Sequence, residues 1–109
     1  MATNDGSLDN VQEVDLPGIL AGVRVIELAD EKAEYCGLTL AGLGADVIKI
    51  EPPEGSPTRR IGPFYEDHAD PERSLFFWQY NRGKKSVVLD LDQTEDRARF
   101  EALLVSADI

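Results

Sequence analysis

Residues 23–50 of the chain read VRVIELADEKAEYCGLTLAGLGADVIKI, and their pattern sets the architecture. The β-branched run 23–28 predicts a first strand. From Glu31 onward the apolar residues fall at helical spacing, with Asp30 as the expected N-cap. The helix should end before Gly44, which is free to adopt a positive φ, and residues 45–50 then predict a second strand. The stretch is therefore a β-α-β unit.

A long loop follows the second strand. Residues 51–71, EPPEGSPTRRIGPFYEDHADP, contain five of the six prolines and two glycines. So many helix- and strand-breaking residues are not compatible with a long regular element. Loops of more than about 15 residues inside a domain are usually functional. This loop is therefore a candidate part of a functional site.

A second β-α unit is predicted after the loop. Residues 74–81 favour a short helix capped by Ser74, whose four aromatic side chains we expect mostly in the core. Residues 86–91 predict a third strand. Asp92 and Glu95 then have the spacing of a capping box. The expected apolar face of the last helix consists of Phe100, Leu103, Leu104 and Ala107.

These units predict an α/β fold, a Rossmann-like segment with parallel strands. Residues 106–109 repeat the helix-to-strand passage of residues 44–47, so they indicate the start of a fourth strand. Three strands would bury only a modest core, and we expect residues 18–109 to be an incomplete part of a larger domain. Residues 1–17 carry acids and no base, and we expect a disordered acidic tail.

Composition excludes several classes of protein. The 109 residues include 11 Lys+Arg and 21 Asp+Glu, a net charge of -10, which disfavours binding to nucleic acids and anionic membranes. The sequence has no membrane-length apolar run and no signal peptide pattern at its start, so we expect a cytosolic protein. One cysteine, Cys36, and one histidine, His68, allow neither an internal disulfide nor a zinc cage, and no metal is expected. We expect Cys36 in the core and His68 on the surface.

Three common phosphate-binding and hydrolase motifs are missing from the sequence. No G-x-G-x-x-G follows the first strand, and neither a G-x-x-x-x-G-K-[ST] loop nor a G-x-S-x-G elbow occurs. The β-α-β unit is thus not a conventional dinucleotide-binding or nucleotide-hydrolysing one.

The bases are concentrated in one part of the chain. Residues 49–85 hold seven of the eleven bases against six acids, so this window is net +1 while the remainder is net -11. These cations either receive a phosphorylated ligand or form an ordinary solvated loop. Glu27, Asp30 and Glu31 follow the first strand, where they serve either as ligand contacts or as caps and solvent-facing charges.

Several motifs together carry a family resemblance. They are VRVIEL, YCGLTLAGLGADVIKIEPPEGSPTRRIGP, SLFFWQYNRGKKSVVLDL and the final ADI. Residues 20–109 resemble the N-terminal segment of the family III CoA-transferases, the group that contains formyl-CoA and carnitine CoA-transferases and 2-methylacyl-CoA racemases. The most specific elements are LGADVIKIEPP with the following basic x-P-x-R element, and NRGKKSVxLDL.

The resemblance implies a Rossmann-type CoA-binding domain that belongs to a longer, interlocked homodimeric enzyme. Such enzymes exchange CoA between an acyl-CoA and a carboxylic acid through an aspartate nucleophile. That aspartate would lie downstream of Ile109, so the resemblance implies no catalytic residue within residues 1–109 and no turnover by this chain alone. Two alternatives remain: a segment of an acyl-CoA racemase, or a non-catalytic ligand-binding or oligomerisation module.

The resemblance also implies particular CoA contacts. It places them after the first strand, after the second strand and at the end of the third, with cations nearby. Two departures weaken the match: residues 32–34, Lys-Ala-Glu, replace the family's Ala-Gly-Pro turn, and positions 52 and 92 lack the basic residue that some members carry. The implied contacts are Glu31, Lys32, Pro52, Leu89, Asp90, Leu91 and Asp92. We also predict CoA binding by the available cations Arg59, Arg60 and Lys84.

Overall fold

The computed structural model describes residues 17–109, so the tail predicted over residues 1–17 lies almost wholly outside the described residues. No helix in the described part is long and apolar enough to cross a membrane. The elements are, in order, β1 (Arg24–Glu27), α1 (Glu34–Gly42), β2 (Asp46–Glu51), two 3-10 turns (Pro57–Arg60 and Tyr65–Asp67), α2 (Leu75–Tyr80), β3 (Lys85–Val88) and α3 (Thr94–Ser106).

The three strands form one parallel sheet in the order β1-β2-β3. This confirms the predicted α/β architecture with parallel strands. The last residues of the chain run along the outer edge of β1: the Ile26 amide donates to the Ile109 carbonyl at 2.9 Å, and the Ile109 amide donates to the Arg24 carbonyl at 3.2 Å. This alternation is that of a parallel ladder. Residues 108–109 therefore lie where a fourth strand would begin, as expected.

The two faces of the sheet differ in chemistry. Against α3, Ile48, Ile50 and Leu89 form a buried apolar cluster that Phe100 and Leu103 cover. The opposite face is apolar only over its first half, where Val25, Ala45 and Val47 pack against Leu40 and Ala41 of α1. Its second half is charged, because alternate strand residues point to the same side and Glu27, Lys49 and Glu51 come next in that order.

Gly44 ends α1 as predicted. Its φ is +104°, and its amide donates to the Ala41 carbonyl at 3.0 Å. A Cβ at this position would lie 2.9 Å from the Cα of Gly18, so the conformation and the close backbone contact both require glycine.

Helix α1 begins later than predicted and presents a different face to the sheet. It starts at Glu34, and Asp30 is not its N-cap; the Asp30 Oδ1 accepts instead from the Lys32 amide at 3.0 Å. Glu34 and Gly37 are the buried residues of the helix. Because these positions face inward, Cys36 is turned outward and exposed, and the prediction that it is a core residue is wrong.

Helix α2 confirms one prediction and contradicts another. Ser74 caps it, since its Oγ accepts from the Phe77 amide at 3.0 Å. The aromatic residues of α2 were expected in the core, but none of them is fully buried and Trp78 is 44% exposed. The helix packs mainly against the 3-10 turn Pro57–Arg60 and against α1, and its large rings stay partly exposed.

Helix α3 lacks the predicted capping box. It begins at Thr94 after Gln93, whose side chain makes no capping hydrogen bond. The acid that contacts this turn is Asp96, whose Oδ2 accepts from the Asp90 amide at 2.9 Å. Leu104, predicted on the apolar face, is 46% exposed because Phe100 and Leu103 alone cover the cluster beneath the helix.

Candidate functional site

A groove of about 420 Å³ opens at the carboxyl ends of β2 and β3. Parallel α/β sheets bind ligands at this edge. The chain forms the groove from the residues that follow β1, β2 and β3, so three separate parts of the sequence meet there. Its lining consists of Leu28, Ile50, Pro52, Pro53, Glu54, Leu89, Asp90, Leu91 and Asp92.

Five of the residues that were predicted to bind a ligand line this one groove. They come from two loops that are far apart in the sequence and are brought together because β2 and β3 are hydrogen-bonded neighbours. The role of these side chains in binding CoA stays a prediction. The five residues are Pro52, Leu89, Asp90, Leu91 and Asp92.

The groove lining combines apolar side chains with carboxylates. Its charged lining residues are the carboxylates Glu54, Asp90 and Asp92, and no lysine or arginine is part of the lining. Two hydrogen bonds fix Asp90. Its side-chain Oδ1 accepts from the Asp92 amide at 3.1 Å, and its backbone amide donates to the Asp96 Oδ2. The backbone N–H of Asp90 also lowers the pKa of the Asp96 carboxyl. The chemistry of the interior suits an uncharged group with hydrogen-bond donors.

Beneath this edge, on the α1 side of the sheet, lies a buried ion cluster that consists of Glu27, Glu34, Lys49 and Lys84. The Lys49 Nζ lies 3.0 Å from Glu27 Oε2 and 2.8 Å from Glu34 Oε2, and it donates to the Ala29 carbonyl at 2.7 Å. The Lys84 Nζ donates to Glu27 Oε2 at 3.0 Å and lies 2.8 Å from Oε1, a contact that has the distance of an ion pair without hydrogen-bond alignment. The cluster contains two cations and two anions.

Neutral side chains complete the cluster and tie the long loop to it. Glu34 Oε2 accepts from the Thr58 hydroxyl at 2.9 Å and from the Asn81 side-chain amide at 2.9 Å. The Ser56 and Thr58 hydroxyls are 3.0 Å apart, and both residues are buried. The start of α1, the loop and the end of α2 therefore meet on one carboxylate.

A second carboxylate anchors the loop from β2. Arg59 binds Glu51 in a bidentate manner, with Nε 2.6 Å from Oε1 and Nη2 2.8 Å from Oε2. Its guanidinium carbon also lies 3.9 Å above the centre of the Phe77 ring. Burial alone raises the pKa of the Glu51 carboxyl, but hydrogen bonds from Arg59, the Ser86 hydroxyl and the Ser56 amide outweigh burial and lower that pKa to about 2.

The remaining predicted binding residues lie outside the groove lining. Glu31 and Lys32 are exposed on the turn before α1, where the Lys32 Nζ is 2.8 Å from Asp30 and 4.0 Å from Glu31. Arg59 and Lys84 are engaged by Glu51 and Glu27. Arg60 is exposed and donates through Nη2 to the Glu54 carbonyl at 3.0 Å, so it lies beside the groove.

The cationic window of residues 49–85 is mostly internal ion pairing. Five of its seven bases contact a carboxylate within the described part of the chain, which leaves Arg60 and Arg82 without an acidic partner there. Ion pairing therefore engages most of this window, and the binding of a phosphorylated ligand by its cations stays a prediction. The five paired bases are Lys49, Arg59, Arg73, Lys84 and Lys85.

Sequence reasoning missed the buried ion cluster, although a signal for it was present. Glu27 and Lys49 are opposite charges embedded in apolar strands, and they are register partners on β1 and β2. Glu27 follows the core residue Val25 by two positions, and Lys49 follows Val47 by two, so each charge points to the same face of the sheet as a core residue. A charge at an inward-facing strand position must be paired. Glu27 was instead considered as a ligand contact, a cap or a solvent-facing charge, whereas it is buried and paired with Lys49 and Lys84.

The parallel sheet, the helices on both of its faces and the groove at its carboxyl edge define a Rossmann-like α/β segment with a candidate ligand-binding groove. The family model "CoA-transferase family III" matches residues 20–109. The chain belongs to this family.

Similar proteins of known name or structure agree with this membership. Succinyl-CoA:mesaconate CoA-transferase of Haloarcula hispanica is 38% identical over 95% of the chain and 24% of its own length. Succinate–glutarate CoA-transferase of Agrobacterium fabrum is 45% identical over 83% of the chain and 24% of its own length. The crystal structure of a CAIB/BAIF family protein from Brucella suis superimposes with a TM-score of 0.76 at 41% identity, covering 85% of the chain and 25% of that protein. The chain thus spans about a quarter of the length of these relatives.

Proposed function

We propose that the chain is the N-terminal CoA-binding portion of an acyl-CoA:carboxylate CoA-transferase. The observation that carries this proposal is the groove at the carboxyl edge of the sheet, formed by Pro52 and by residues 89–92 in a chain that belongs to the CoA-transferase family. The relatives are named as a succinyl-CoA:mesaconate CoA-transferase and a succinate–glutarate CoA-transferase. We extend that reaction class to the protein that contains this chain.

The groove provides a binding surface and no reacting group. Bound CoA would supply the thiol that carries the acyl group. The apolar side chains of Leu28, Pro52 and Leu91 would contact an uncharged part of CoA, and the carboxylates of Asp90 and Asp92 would accept hydrogen bonds from its N–H or O–H groups. We propose that the nucleophile belongs to another part of the enzyme, that the enzyme is a homodimer, and that it acts in the cytosol.

The binding step is tested by isothermal titration of CoA into the protein at low ionic strength. We expect saturable binding that weakens as salt is added, because the ligand is polyanionic. Asp92→Trp should fill the groove and weaken CoA binding at least about tenfold, since the ligand and the indole would compete for the same space. The matched control is Glu101→Trp, which adds the same ring at an exposed position on α3.

Two results would contradict the proposal. A folded protein that does not bind CoA lacks the proposed site, and equal CoA affinity in the wild type and in Asp92→Trp would place the site elsewhere.

The transfer reaction is tested separately, with succinyl-CoA as donor and a series of dicarboxylates as acceptors. Exchange of an α-proton without CoA transfer would support the racemase alternative instead. CoA binding with neither reaction would support a non-catalytic binding module.

A further inference from the structure

The arginines and lysines of the described residues divide into two groups. Eight of the eleven bases contact an Asp or Glu side chain at 4.0 Å or less, and within residues 17–109 no carboxylate does so for Arg60, Arg82 or Arg97. An exposed guanidinium without an acidic partner is available to an anion. The eight paired bases are Arg24, Lys32, Lys49, Arg59, Arg73, Lys84, Lys85 and Arg99.

Two of these three arginines are fixed to the walls of the groove. The Arg60 Nη2 donates to the carbonyl of Glu54, which lines the groove after β2. Arg97 donates through Nε at 3.1 Å and Nη2 at 3.0 Å to the carbonyl of Leu91, which lines it after β3. The two guanidinium groups therefore belong to different walls. Each keeps at least one nitrogen that has no acceptor among the described residues.

The groove interior and these margins have opposite electrostatic character. Inside, Glu54, Asp90 and Asp92 repel a phosphate, and no base is part of the lining. At the margins, each arginine is held by a neutral carbonyl, which orients the guanidinium and leaves its charge uncompensated. A ligand that carries both an uncharged end and phosphates would therefore place the uncharged end inside and the phosphates outside.

We propose that Arg60 and Arg97 bind the phosphate groups of the CoA ligand at the two margins of the groove. The proposal rests on the proposed function, since it takes the groove as the CoA site. It adds Arg97, which sequence reasoning did not identify, and it accounts for how a groove with acidic side chains at positions 54, 90 and 92 accepts a polyanion. It also separates Arg60 from Arg59, whose guanidinium is fully engaged by Glu51 and the loop.

The test compares CoA with adenosine, which has no phosphate, by isothermal titration against the variants Arg60→Gln and Arg97→Gln. We expect each variant to bind CoA about tenfold more weakly, the size expected for the loss of one charge-assisted hydrogen bond. CoA binding should also depend less on salt, while adenosine affinity stays unchanged. Arg97→Lys should recover part of the CoA affinity. The matched control is Arg82→Gln, whose guanidinium also donates to a backbone carbonyl, that of Gln79, but at the opposite end of β3.

Three results would overturn the inference. Unchanged CoA affinity in both glutamine variants, with binding still lost in Asp92→Trp, would reject the phosphate contacts and leave the CoA groove intact. An equal loss of CoA and adenosine affinity in Arg97→Gln would mean that Arg97 only positions the Leu91 carbonyl. A wild-type protein that binds no CoA would reject the proposed function, and the phosphate contacts with it.

Discussion

The Lys49 Nζ lies 2.8 Å from Glu34 Oε2, and each of these two side chains is only 1% exposed. This pair joins the central strand of the sheet to the first residue of α1. Charges this deeply buried are tolerated because every one of them has an opposite charge within contact distance. Helix α1 can therefore pack against this half of the sheet only because the buried charges are paired with one another.

Lys49→Met should destabilise the fold strongly. Removing the cation leaves Glu27 and Glu34 buried with less compensation, which typically costs about 3–5 kcal/mol. The measurement is the free energy of unfolding from urea denaturation at pH 7. Lys85→Met is the control, because the Lys85 side chain is 70% exposed and its pair with Asp46 should contribute at most about 1 kcal/mol. Equal losses in the two variants would show that the buried cluster has no special energetic role.

Two glycines of α1 should respond to alanine in opposite directions. A Cβ at Gly37 would lie 1.8 Å from Glu27 Oε1 and 3.0 Å from Lys84 Cε, so Gly37→Ala should cost about 1–3 kcal/mol through overpacking. A Cβ at Gly42 would meet nothing within 4 Å, so Gly42→Ala should stabilise the helix by about 0.5–1 kcal/mol. Thermal melts of the two variants measure both changes. A neutral Gly37→Ala would mean that the ion cluster shifts without cost.

Acid should destabilise the protein through Glu51. The pKa of this carboxyl is about 2 in the folded state and 4.5 as its ordinary value, so the native state favours the ionised form. The corresponding stabilisation, at most about 3 kcal/mol, is complete above pH 4.5 and is lost as the pH falls toward 2. Unfolding free energies measured between pH 6 and pH 2.5 should therefore decline across this window.

The Glu51→Gln variant should flatten that decline, although it is less stable at pH 6 because Arg59 loses its anionic partner. Glu101→Gln, at an exposed position on α3, should leave the pH profile unchanged. If the profile of Glu51→Gln parallels that of the wild type, other carboxyls are responsible for the acid sensitivity.

Ser74→Ala should release the long loop as well as uncap α2. The fully buried Ser74 Oγ accepts from the Phe77 amide and donates to the Ile61 carbonyl at 2.6 Å, with the Thr58 carbonyl 3.1 Å away. Loss of a cap alone costs about 0.5–2 kcal/mol, and the unpaired Ile61 carbonyl should add to this. Ser106→Ala, which removes an exposed hydroxyl near the end of α3, should change stability by less than about 0.5 kcal/mol. Hydrogen exchange of the Phe77 amide provides the site-specific measurement.

The parallel direction of the strands could be predicted because local patterns dictate the β-α-β unit. The β-branched runs and the glycine at position 44 define the β-α-β unit without reference to tertiary contacts. The inward face of α1 could not be obtained in this way. Apolar periodicity pointed to Cys36, whereas the helix turns Glu34 inward to reach Lys49. The tertiary pairing of charges therefore overrides the local hydrophobic pattern.

The candidate site was predictable to a similar degree. The lining residues after β2 and β3 follow from the family resemblance and from the general position of ligands in parallel sheets. It was harder to predict which cations are free to bind a ligand, because a count of charges along the chain does not show which of them are already paired with carboxylates. Arg59 and Arg60 are neighbours in sequence, yet one is bound to a buried carboxylate and the other lies on the rim of the groove.

The unequal faces of the sheet have a consequence for temperature. Apolar contacts, such as those between α3 and Ile48, weaken on cooling, since the hydrophobic driving force declines. The cost of removing charges from water, as in the cluster under α1, grows on cooling because the hydration of ions becomes more favourable. Both faces therefore lose stabilisation in the same direction on cooling.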